Sequence, residues 1–64
     1  MKIAIDEVGL DAGFGNVKTV RLVEVEASNV AKAYGVVLDW VSVNRPDLSM
    51  ASMSSPHGYH AYQV

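Results

Sequence analysis

The apolar residues change their spacing at one point in the chain, and this change constrains the fold more than any other feature. From about residue 17 to residue 27, Val17, Thr19, Val20, Val23 and Val25 supply the β-branched side chains that suit a pleated strand. The alternation slips inside this run. Val20 and Leu22 share one face, whereas Val23, Val25 and Ala27 share the other. A bulge between Arg21 and Val23 would turn both sets toward one core. After Ser28 and Asn29, both candidate N-caps, the period becomes helical. Val30, Ala33, Tyr34, Val37, Leu38 and Val41 then recur at the spacing of one helix face. Lys32, Asp39 and Ser42 fall opposite. Val36, Trp40 and Val43 form a second apolar stripe beside the first, more than one small sheet can cover. Gly35, inside the helix, suggests a close approach to a neighbouring element. Asn44-Arg45-Pro46 ends the helix, because the residue before a proline avoids the α region.

The flanking segments complete the pattern. Residues 1–8 read as a half-buried strand, with Met1, Ile3 and Ile5 on one side and Lys2, Ala4 and Asp6 on the other. Residues 9–16 hold three glycines, Asp11 and Asn16, so they form the loop to the second strand. Residues 48–54 and 59–64 read as two strands of a hairpin about Ser55-Pro56-His57-Gly58. The expected fold is α+β, an antiparallel sheet of about four strands with one helix on one face, in the order β-β-α-β-β.

Size bounds the function. A chain of 64 residues makes one domain. Folding at this length hides only about 60% of the unfolded surface, so a partner would help to stabilise it. No cysteine is present, which removes disulfides and thiolate metal sites. Five Lys and Arg against seven Asp and Glu leave a net charge of -2, which argues against a phosphate-neutralising nucleic-acid binder. No apolar run approaches the ~20 residues of a membrane helix. The acid at Asp6 comes too early for a signal peptide, so a cytoplasmic chain is expected, in the host cytoplasm if the protein is viral.

Candidate chemistry is sparse. His57 and His60 point to opposite faces of a strand and lack a third ligand, so no metal site is expected. Ser49, Ser52, Ser54 and Ser55 have no positioned base nearby. Glu24 and Glu26 share a strand face near Asp6, and a solvated acidic face is commoner than a catalytic pair. No enzymatic activity and no cofactor are therefore expected. What stands out is contact-forming surface: Tyr34, Trp40, Tyr59 and Tyr62 with Met50 and Met53. Trp40, Tyr59, Tyr62, Asp6, Glu24 and Glu26 are the candidate partner-binding residues.

Two resemblances follow from particular residues. Asp11-Ala12-Gly13-Phe14-Gly15-Asn16-Val17-Lys18 resembles the first phosphate-binding loop of the actin-like ATPases, especially the plasmid-segregation actins. The resemblance implies that Asp11, Gly13, Gly15 and Lys18 would hold a nucleotide phosphate, Asp11 through hydrated Mg²⁺. Such an ATPase needs two lobes and several hundred residues, so this chain would be a truncated or degenerate segment of one. The run Val23-Glu24-Val25-Glu26-Ala27-Ser28-Asn29-Val30-Ala31-Lys32-Ala33, with the overall layout, is similar to very small phage-encoded proteins. These include inhibitors of host RNA polymerase and small anti-CRISPR proteins. That resemblance implies stoichiometric blockade of a host protein, with the acidic strand face meeting a basic groove. A self-assembling structural subunit, a homo-oligomer, is the third expectation.

Overall fold

The computed structural model describes residues 1–10 and 16–64. Strand β1 spans Lys2–Leu10, β2 spans Val17–Glu26, helix α1 spans Val30–Asn44 and β3 spans Gly58–Gln63. The sheet order is β2-β1-β3, and both pairings are antiparallel. The fold is α+β, with a three-stranded antiparallel sheet and one helix. Residues 11–15 lie outside the described residues.

The slipped alternation in β2 is a bulge. Ile5 pairs with Val23 and Asp6 with Arg21, so Leu22 is the extra residue. Leu22, Val23 and Val25 all pack against the core as a result. Val20 does not follow them and stays 49% exposed.

Asn29 caps α1. Its Oδ1 accepts from the Lys32 amide at 2.9 Å and satisfies one of the helix's free donors. The helix packs on β1 and β2 through Val37 and Val41, with Ala33, Val36 and Trp40 partly buried beside them. It is therefore rotated from the face that spacing alone suggests. Val30, Tyr34 and Leu38 remain 66%, 68% and 55% exposed. Gly35 has nothing within 4 Å of where a Cβ would stand, so no close approach explains it. Arg45 fastens the C-terminal end of α1. Its guanidinium donates to both Glu7 oxygens at 2.9 and 3.3 Å and to Asp47 at 3.1 and 3.2 Å.

The expected fourth strand is absent from the described residues. Residues 48–54 pair with β3 through a single parallel bridge between Met50 and Tyr59, not as an antiparallel hairpin. The serines divert this segment. Ser52 Oγ accepts from the Ser55 amide at 3.2 Å, and the Ser55 carbonyl accepts from the Ser52 amide at 2.8 Å. These local bonds compete with a strand ladder. Gly58 lets the crossing close tightly, since a Cβ there would collide with the Ser49 carbonyl and stand 3.0 Å from the Ala51 nitrogen. Leu48 and Ala51 are buried by this return.

Candidate functional site

The two faces of the sheet differ in kind. Ile3, Ile5 and Tyr59 face α1 and form the core with it. Alternation sends Ala4, Asp6, His60 and Tyr62 to the other face, with Arg21, Glu24 and Glu26 from β2. The bulge has a chemical consequence here. An unbroken register would set Leu22 opposite Asp6, and the extra residue puts Arg21 there instead.

Asp6 is 5% exposed and fully engaged. Its Oδ1 accepts from Arg21 Nε at 2.6 Å and its Oδ2 from the Tyr62 hydroxyl at 2.7 Å. Arg21 also donates to Glu24 at 2.6 Å and to the Tyr62 hydroxyl at 3.0 Å, and its guanidinium lies 5.8 Å from the Tyr62 ring centre. Burial pushes the Asp6 carboxyl up. The hydrogen bonds from Tyr62 and Arg21, with the charge of Arg21, outweigh that and hold it below its ordinary value of 3.8. The bond to Asp6 in turn raises Arg21. Lys2 lies 3.7 Å from Glu24, and the Met1 amine lies 3.3 Å from Glu26. Asp6, Glu24 and Glu26 thus share a face as expected, but each has a cationic neighbour. The face is a neutralised polar lattice rather than a free acidic patch.

The other surface of interest was not singled out from sequence. Because α1 packs chiefly over β1 and β2 and meets β3 at the buried Tyr59, the flank toward residues 61–63 of β3 stays open. Val30, Tyr34 and Leu38 form one wall of a groove of about 440 Å³, and Met50, Ala61 and Gln63 stand across from it. No Asp, Glu, Lys or Arg lines this groove; Met1 borders it, its terminal amine bonded to the Ala27 carbonyl at 2.6 Å. Met50 is 59% exposed and Tyr62 44%. The surplus of apolar stripes on α1 was the available signal; which stripe stays free depends on the rotation of the helix.

The structure does not gather the expected contact residues into one place. Tyr62 and Tyr59 border the groove, but Tyr59 is 3% exposed and its side chain belongs to the core. Trp40 lies on the far flank of α1, half-buried, lining a shallow hollow of about 270 Å³ with Val25, Val36 and Val43. Of the phosphate-loop residues, Asp11, Gly13 and Gly15 lie outside the described residues. Lys18 stands exposed near the start of β2, paired with Gly9. Among the described residues, no group of three His, Asp or Glu side chains is placed to hold a metal ion. None of their helices is long and apolar enough to cross a membrane. Comparison with protein-family models, with curated proteins and with solved structures finds no match.

Proposed function

We propose that this chain is a non-catalytic protein-binding module whose contact surface is the groove between α1 and β3. One observation carries the reading. Val30, Tyr34 and Leu38, repeating at i, i+4 and i+8, are all more than half exposed and open on a concave surface lined by no charged side chain. A stripe of large apolar side chains left in water costs solubility unless something covers it. Tyrosine suits such a contact, since a rigid ring buries much area at low entropic cost. The occupant has complementary chemistry, an apolar and uncharged segment of a partner protein. Taken with the resemblance to small phage-encoded inhibitors, the action is stoichiometric: the module covers a site on a host protein and blocks it.

The test is capture from a candidate host lysate by the tagged chain and by a Tyr34→Glu/Leu38→Glu variant. Both positions are exposed, so the variant should keep its circular dichroism and a cooperative melt, with the midpoint lowered by a few degrees at most. The reading expects one stoichiometric partner with the native chain and its loss with the variant. Equal capture by both, or none by either, would sink it.

A further inference from the structure

We infer that the outer edge of β3 joins a second copy of this chain, residues 61–63 of each pairing across a two-fold axis into one continuous six-stranded sheet. The direction of the backbone groups carries the argument. The Val64 amide donates inward to the Lys2 carbonyl at 3.0 Å. The Tyr59 amide donates outward to the Ser49 carbonyl at 3.0 Å, and the Tyr59 carbonyl accepts from the Ala51 amide at 3.1 Å. Hydrogen-bonding direction alternates along a strand, so Ala61 and Gln63 also direct their N–H and C=O groups outward. The 49–51 segment occupies the edge at Tyr59 and leaves it there. Both Ala61 and Gln63 are exposed, and no outward backbone bond is made to either among the described residues.

That two-residue opening is self-complementary. In an antiparallel pairing centred on Tyr62, Ala61 stands opposite Gln63 of the other copy and Gln63 opposite its Ala61. Each pair exchanges both backbone bonds. Tyr62 then meets its own symmetry mate at a non-hydrogen-bonded position, where cross-strand side chains come closest. Charge permits it: residues 58–64 carry no Asp, Glu, Lys or Arg, so a copy meets a copy without like-charge repulsion. Tyr62 and Val64, exposed at 44% and 54%, lie on one face of this edge and lose exposure in the pairing. The contrast with the other edge is instructive. There, β2 bears a bulge with Lys18, Arg21, Glu24 and Glu26, features that discourage strand addition, whereas β3 has none of them. The groove toward α1 lies above the ladder, so the dimer presents it twice. The inference does not depend on what fills that groove.

The experiment is sedimentation equilibrium of the purified chain across micromolar to millimolar concentration, alongside Gln63→Pro and Gln63→Ala. Proline at 63 removes an outward donor only and suits an edge strand, while alanine keeps the donor. The native chain and Gln63→Ala should rise with concentration from 6.9 kDa toward twice that mass and no further. Gln63→Pro should associate at least about tenfold more weakly, a difference of about 1.4 kcal/mol. In the native chain the Ala61 and Gln63 amides should exchange more slowly as concentration rises. The outward amides of Glu24 and Glu26 should not. A mass of 6.9 kDa at every concentration, growth beyond the dimer, or concentration-independent exchange at residues 61 and 63 would each overturn the inference. The exchange measurement decides if Gln63→Pro fails to fold.

Discussion

Leu38 and Val41 lie three residues apart on α1, and truncating each to alanine separates an open groove from a closed core. Leu38 is 55% exposed, so less than half of its side chain leaves water on folding. Full burial of a leucine contributes ~1.5–3 kcal/mol, so Leu38→Ala should cost at most about 1.4 kcal/mol, partly offset by alanine's better helix propensity. Val41 is 4% exposed and packed in the core. Val41→Ala removes two methyl-sized groups at ~0.8 kcal/mol each and leaves a small cavity, for a loss of about 2 kcal/mol. A domain of this length has about 3–10 kcal/mol in all, so the difference is measurable. Urea melts followed by far-ultraviolet circular dichroism, at protein concentrations too low for self-association, report both values through the midpoint with the slope held constant. If Leu38 were a core residue its truncation would cost ~2–5 kcal/mol. A loss at Leu38 equal to or above that at Val41 would refute the placement of the free stripe.

Other outcomes follow from the same geometry. Asp6 is held below 3.8 in the folded state, so its stabilisation is complete above its unfolded value and is lost as pH falls through the folded one. Acid melts of Asp6→Asn should therefore lie about 2 kcal/mol below the native chain at neutral pH and converge on it well below pH ~4. Parallel curves across that range would exclude the Asp6–Arg21–Tyr62 bonds as the cause. Gly58→Ala should lose about 3 kcal/mol or more, since the new methyl meets the Ser49 backbone, whereas Gly35→Ala should gain ~0.5–1 kcal/mol in open space. Thermal melts of the two variants should shift in opposite directions, and equal shifts would contradict both assignments. Mg-ATP should leave the melting point unchanged if the chain acts through the groove alone, and a concentration-dependent rise would favour the phosphate-loop reading.

Much of the backbone could be read from residue order. The break in alternation near Leu22 announced the bulge, and Asn29 announced the cap, because both are local effects. The helix face was harder. Val30, Tyr34 and Leu38 lie on a well-formed apolar stripe, and so do Val36 and Trp40; only the position of the sheet decides which stripe is covered. The last strand of the expected hairpin formed, but its partner did not, because the serines of residues 52–55 satisfy one another. The candidate site was least legible. Burial of Asp6 depends on the bulge delivering Arg21 across from it and on Tyr62 arriving from the other neighbour, contacts that span 15 and 56 residues. Tyr59 reads like Tyr62 in sequence, yet one-residue alternation sends it into the core.

Photocrosslinking tests the central claim most directly. A benzophenone side chain placed at Tyr34, in the groove wall, or at Lys18, on the opposite edge, would be activated in a candidate host lysate. The account predicts one dominant crosslinked protein from position 34 and none from position 18. Crosslinks from position 18 with none from 34 would contradict it and move the contact surface to the outer edge of β2.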